Sequence, residues 1–339
     1  MISLNSLTIQ AVAATGLQNV FAPPAESRLT TLLLHRFAFG GESWKTARDR
    51  LRRQLEWVRD AFTPMTLSQV ETAFAHSSFP RRPILVTVDD AYTDMLEVAE
   101  DFRAFEVPAA LFVCAGWSAQ ASEPEPDGRL ARVVASIEWY RGAEISLALG
   151  QGAVQLRLSP DRRAQVIDAL LSPQGDLSAC VAELAERLDE LLPRPTTRTI
   201  CNWDELRQLQ AMGIEMGCHS VSHIRLASAS RARVAFEVGE SKRLLESQLG
   251  NCSVFAYPYG TADAHNDAST QAIAEAGFKL AFLTHSDFSS TQTDRYRLPR
   301  ITLPDRDMSH AEYRARVDGG SIPIRKAKAM LRGLRAHVR

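Results

Sequence analysis

Three features are missing from this 339-residue sequence, and each absence excludes something. There is no excess of one charge, because 39 Lys and Arg nearly cancel 40 Asp and Glu. That balance argues against a duplex nucleic-acid binder, whose affinity rests on a broad positive surface. There is no CxxC pair: Cys114, Cys180, Cys201, Cys218 and Cys252 are widely spaced and odd in number. Neither a disulfide framework nor a cysteine zinc site is expected, and a reducing compartment fits. Finally, no run approaches the roughly 20 apolar residues that span a bilayer. The mildly apolar "LTIQAVAATGLQNVFA" near the start follows no basic residue and is interrupted by Gln10, Thr15, Gln18 and Asn19, so no signal peptide is expected.

What is present is ample material for a packed core, at 45% hydrophobic residues. Seven short apolar runs read as strands: 30–37, 84–88, 109–114, 214–219, 253–258, 279–285 and 299–303. Longer amphipathic patterns lie between them, the order expected of parallel strands joined by crossover helices. One of these helices starts at Trp203, with Asn202 as N-cap, Glu205 three residues on and Gly213 past its end. This α/β pattern suits a barrel or an open sheet. The rhythm breaks between Trp117 and Ile200, where the acidic loop "SEPEPDG" precedes helical patterns. Residues 117–200 are therefore expected to be a mostly helical insertion, either bulk over the rim or a lid shaping substrate access. Trp117 and Trp203 flank it and read as packing residues, with sugar stacking as the alternative.

The chemistry concentrates at strand ends. "ILVTVDD" finishes a buried strand with two adjacent acids, Asp89 and Asp90, which repel each other and resist desolvation unless a partner is supplied. "HSVSH" places His219 and His223 at i, i+4 directly after another strand. Two neutral imidazoles and a carboxylate suit a divalent ion, and Asp90 is the natural third ligand. A dication neutralises one acid and leaves the other, Asp89, free to accept a proton from water. Taken alone, each of these pairs reads more often as structural; taken together they read as a site.

"TVDD", "HSVSH" and "AYPYG" resemble the polysaccharide deacetylases of carbohydrate esterase family four, the NodB-homology group, whose motifs read TFDDG, HSxxH and RxPYG. The resemblance covers about residues 30–305 apart from the insertion. It implies a distorted (β/α)7 barrel over 28–320, interrupted by the insertion, and hydrolytic removal of acetyl groups with a divalent ion, zinc first and cobalt or nickel as alternatives. Carried over by position, it implies Asp89 as base and Asp90, His219 and His223 as metal ligands. It also implies the Tyr259 backbone N–H as oxyanion donor, a role that the flanking Pro258 and Gly260 suit. The leaving group needs an acid. "LLLHRF" offers His35 at the end of the first strand, which resembles the circularly permuted branch containing poly-N-acetylglucosamine deacetylases, and His285 in "LTHSD" is the runner-up. In a closed barrel first and last strands are neighbours, so the permutation preserves the site.

Two departures matter most. Ala91 stands where the family has Gly, so a backbone with φ > 0 there would cost about 1 kcal/mol. Ala256 replaces the arginine that contacts the base; Arg300 in "LPRITL" or Arg36 are the candidate replacements. Asp94 reads as a helix first-turn carboxylate and Tyr92 as packing at the helix start. His76, His265, His310 and His337 are assigned no chemistry. The C-terminal 321–339 stretch has a basic amphipathic pattern with an apolar stripe of Ala327, Met330, Leu331, Leu334 and Val338. It reads as a helix docked on the barrel or as one lying on an anionic membrane. The expectation is a cytoplasmic enzyme, peripheral to the membrane in the second case, acting on an N-acetylated glycan or glycolipid, with no nucleic-acid partner and no oligomeric state set by the sequence. A glycan-binding barrel without turnover, and a deacylase of another amide or ester, are the rival readings.

Overall fold

The computed structural model describes residues 4–19, 28–39, 41–121, 143–159, 180–191, 200–304 and 306–327, with isolated positions at 133, 136–137, 162, 165–166 and 169–170. Ten strands are numbered in chain order. Seven of them form one parallel path, and they are the seven runs read from the sequence: β1 (Thr30–Leu34), β3 (Pro83–Asp89), β4 (Ala109–Val113), β7 (Glu215–Cys218), β8 (Val254–Ala256), β9 (Leu280–Phe282) and β10 (Ile301–Thr302). Their spatial order is β10-β1-β3-β4-β7-β8-β9, with the short β2 (Thr63–Pro64) beside β3. Leu298 pairs with Phe282, and its N–H and C=O bond to Ala281 O and Leu283 N, so the segment leading into β10 meets β9 and the curled sheet comes round on itself. The first and last strands of the path are thus neighbours, as a barrel requires.

Alternation along the strands sorts the side chains. Ile84, Val86 and Val88 join the cluster that faces the crossover helices, with Leu111, Phe255 and Leu245. Leu85 faces the other way, with Ala110, Phe112, Val254, Ala256 and Phe282. The same parity puts Thr87 and Asp89 on the inner side. The helix Leu67–Ala75 closes the barrel at the end where strands begin: Glu215, starting β7, accepts from Leu67 N and Ser68 Oγ. A third cluster joins Trp117 and Tyr92 to Leu149, Leu156, Leu158, Leu184 and Leu188 of the 117–200 interval.

Among the described residues of that interval helix outnumbers strand, and the one element not expected is a hairpin. Among its described residues are the helix Val181–Leu191 and an antiparallel hairpin, β5 (Ile145–Leu149) with β6 (Val154–Leu158). The hairpin signal was present, since "ISLAL" and "VQLRL" alternate around Gly150 and Gly152. The acidic loop lies outside the described residues. Helix Trp203–Ala211 has the expected capping box of Asn202 and Glu205, and Gly213 has φ 92°. Residues 322–327 are helical; the remainder of the basic stretch, and His337 with it, lies outside the described residues. Among described residues no helix is long and apolar enough to cross a membrane. All five cysteines are buried and none is in a disulfide.

Candidate active site

Strand register assembles the site. Leu34 pairs with Val88, Asp89 with Phe112, Val113 with Cys218 and Cys218 with Phe255. The residues that leave these strands, His35, Asp90, His219 and then Tyr257 to Tyr259, therefore gather at one end of the barrel. This is the end where loops of parallel α/β folds carry chemistry.

Asp90, His219 and His223 converge, their ligand atoms all within 4.8 Å of one another and all three side chains buried. Asp90 Oδ1 lies 3.4 Å from His219 Nε2 and 3.3 Å from His223 Nε2, yet it has no hydrogen-bond partner. A buried carboxylate oxygen left between two imidazoles fits a cation better than it fits the bare side chains. His219 Nδ1 lies 2.8 Å from Ala256 O, so that nitrogen carries the proton and Nε2 offers its lone pair towards Asp90. The donor set of two imidazoles and a carboxylate suits zinc or a neighbouring divalent transition metal. Burial pushes the Asp90 carboxyl up, but His223, His219 and His35 outweigh it and hold it well below the usual carboxylate range.

Asp89 faces a different partner. Arg300 grips it with a fork, Nη1 to Oδ1 and Nη2 to Oδ2 both 2.7 Å, and neither residue has more than 1% of its surface exposed. Arg300 is held in turn: Nε donates to Leu283 O at 2.9 Å and Nη1 to Thr87 Oγ1 at 3.1 Å, while Thr87 Oγ1 donates to Leu32 O. Burial raises the Asp89 pKa, and Arg300 first, then His219 and His35, more than reverse it. The guanidinium that meets Asp89 thus comes from Arg300, the residue just before β10. Arg36, the other candidate, pairs with Asp94 at 2.9 Å and lies over the Tyr92 ring instead. Asp94 also accepts from Phe37 N at 3.3 Å, so it helps fix the chain just after His35. His285 lies three residues past the end of β9, with an exposed side chain whose charged neighbours are Arg325, Asp287 and His265.

The backbone of the site is unusual. Asp90, Ala91, Ser220, His223 and Tyr259 all have positive φ, from 57° to 75°. Ala91 adopts the left-handed conformation that is costly for a residue with a Cβ, at φ 58°, and its O accepts from Cys201 N at 2.9 Å. Both ends of the 117–200 interval are tied to the ligand turns. At the far end, Ile200 bridges Tyr92; at the near end, Ala115 N and Gly116 N donate to Ser220 O and Val221 O, both at 3.0 Å. A Cβ on Gly116 would come within 2.6 Å of Val221 O, so this approach needs glycine. Trp117 stacks on His223 at 5.3 Å, and His223 also meets the edge of Tyr259 at 4.7 Å. Trp117, at the start of the interval, therefore forms part of the wall beside His223. Sequence reading missed Glu237, whose signal was a carboxylate on the buried face of Val234, Val238, Ser241 and Leu245.

No curated protein matches the chain. Solved structures of similar fold include the Streptococcus pyogenes deacetylase PplD in complex with acetate, with 17% identity, TM-score 0.54, and coverage of 81% of this chain and 92% of that one. The BpsB deacetylase domain from Bordetella bronchiseptica is 18% identical with TM-score 0.52, covering 83% and 97%. IcaB from Ammonifex degensii is 15% identical with TM-score 0.54, covering 87% and 97%. At such identities these likenesses speak for the fold. The family model described as polysaccharide deacetylase matches residues 76–281, which hold Asp89, Asp90, His219, His223 and Tyr259, while His35, just after β1, and Arg300, just before β10, lie outside the match. With a match over more than half its length, this chain belongs to the polysaccharide deacetylase family.

Proposed function

We propose that the protein is a metal-dependent carbohydrate N-deacetylase, hydrolysing the amide C–N bond of an N-acetylated sugar within a glycan during assembly of a surface polysaccharide. The observation that carries this reading is the convergence of Asp90, His219 and His223 beside an Asp89 held separately by Arg300. Asp90, His219 and His223 would hold the ion, zinc first and cobalt or nickel as alternatives. When bound, the ion supplies the positive charge that acidifies water and stabilises negative charge developing on the carbonyl oxygen.

The residues then divide the proton work. Asp89 accepts the proton of the attacking water; the Arg300 fork keeps it ionised and aims it. The Tyr259 N–H donates to the oxyanion, on a backbone fixed at φ 61° by Thr284 Oγ1, which donates to Tyr259 O at 2.7 Å. His35, next to the acids in register, protonates the amine as the C–N bond breaks and acetate leaves. His35 directly follows β1, and reading it as the acid is what the resemblance to the permuted branch suggests. The substitution of Ala256, which motivates a barrel without turnover, is offset here by Arg300.

The test is acetate release from a panel of N-acetylated glycans by zinc-, cobalt- and nickel-loaded protein. Release that is abolished by chelation and by Asp89→Asn, with metal retained in the variant, supports the reading. Sugar binding unchanged by Asp89→Asn with no product would establish the binding-module alternative, and release only from another amide or ester would move the substrate class.

A further inference from the structure

We infer that Glu237, on the helix Arg231–Leu249, is the positioning residue that holds the His219–His223 turn in its ligand conformation; the inference rests on reading those histidines as metal ligands. The five-residue turn cannot hold itself. Two of its residues, Ser220 and His223, have φ of 66° and 57°, a conformation disfavoured by roughly 1–2 kcal/mol for each residue with a Cβ. Within the turn, His223 N donates to Ser220 Oγ at 2.9 Å.

Glu237 supplies what is missing. One carboxylate oxygen, Oε2, accepts from Val221 N and Ser222 N, both at 2.9 Å. The other, Oε1, accepts from Ser222 Oγ and pairs with Arg233 Nη2, which also donates to Ser222 Oγ at 2.8 Å. Successive backbone N–H groups aimed at one carboxylate form an anion-binding nest. Here the anion is a side chain of the protein with 0% exposure. From the opposite side, Gly116 N and Cys114 Sγ donate to Val221 O. The peptide at Val221 is thus held through both its N–H and its C=O, and the two histidines flank it. A carboxylate is required because a neutral acceptor would satisfy the two N–H groups but not Arg233 and Ser222 together. Loss of such outer partners typically weakens metal affinity by about 10–100-fold.

The experiment compares the full-length wild type with Glu237→Ala, Glu237→Gln and Leu245→Ala, the last a fully buried packing residue on the same helix. Two readouts are taken: amide hydrogen exchange at Val221 and Ser222 without metal, and affinity for zinc and cobalt by competition with a chromophoric chelator. The expected result is that Glu237→Ala accelerates exchange at those two amides and binds metal about 10–100-fold more weakly. Glu237→Gln should fall between it and wild type, and Leu245→Ala should change neither readout selectively. The inference is overturned if Glu237→Ala exchanges and binds like Leu245→Ala. If the wild type binds neither ion, the metal-site reading fails, and the exchange rates alone decide whether Glu237 anchors the turn.

Discussion

The Arg300–Asp89 fork allows a quantitative test. Replacing Arg300 by Met keeps volume and removes the charge, leaving a carboxylate of 1% exposure without its cation. Breaking a buried pair by removing one partner costs about 3–5 kcal/mol. The variant also strands Leu283 O, which loses the Nε donor, for about 1–3 kcal/mol more. Asp89→Asn alone leaves the guanidinium buried against an amide and carries a penalty of the same kind. In the double variant neither charge remains, so its loss of stability should be smaller than the sum of the two single losses by about 2 kcal/mol or more. The assay is guanidinium denaturation of the four proteins, metal-free and zinc-loaded, read as a double-mutant cycle. Additivity within about 0.5 kcal/mol would refute the claim that this fork is a buried, mutually dependent pair. Acetate release should fall in Arg300→Met because the base loses the cation that keeps it ionised and aimed.

Other consequences follow from individual contacts. Burial pushes the Tyr257 phenol up to about 12, and its OH donates to Tyr296 O and Thr270 Oγ1 at 3.1 Å. Because the folded pKa exceeds the unfolded one, the contribution is fully present below about pH 10 and is lost as pH rises towards 12, by roughly 2–3 kcal/mol; Tyr257→Phe should flatten this limb in a pH series of denaturation curves, and an unchanged limb would count against it. Gly217→Ala places a Cβ 2.4 Å from the Phe112 ring, over which Arg300 lies at 5.6 Å, so it should destabilise by about 1–3 kcal/mol and lower activity together, both measured on one preparation. Ala91→Gly relieves a left-handed residue, worth about 1 kcal/mol, but removes a fully buried methyl, worth about 0.8 kcal/mol. The two nearly cancel, so thermal stability should hardly change and activity should persist; a loss above about 2 kcal/mol would show that the methyl is a needed packing element.

The seven parallel strands were legible without any structure, because fully buried strands such as "ILVTV" are continuous apolar runs that stand out between amphipathic helices. The caps were legible too, since Asn202 with Glu205 is a local hydrogen-bond pattern. The sequence also singled out Asp89, Asp90, His219 and His223, because charged and imidazole groups at the ends of apolar runs have no bland explanation in combination. Who partners whom depends on long-range geometry. Arg300 and, after it, Arg36 were the candidate cations; the register of β10 against β1, and the inward parity of Arg300, gave Asp89 its fork and left Arg36 to Asp94. The position of Glu237 under the ligand turn, and of Trp117 against His223, depends on contacts 15 and more than 100 residues apart in sequence, which no local period encodes. The glycine usual at this point of the motif flagged Ala91 as a place where φ > 0 would be costly, but the Cys201 N–H that engages its carbonyl comes from the far end of the insertion. Local pattern fixes which groups are unusual; long-range packing fixes what compensates them.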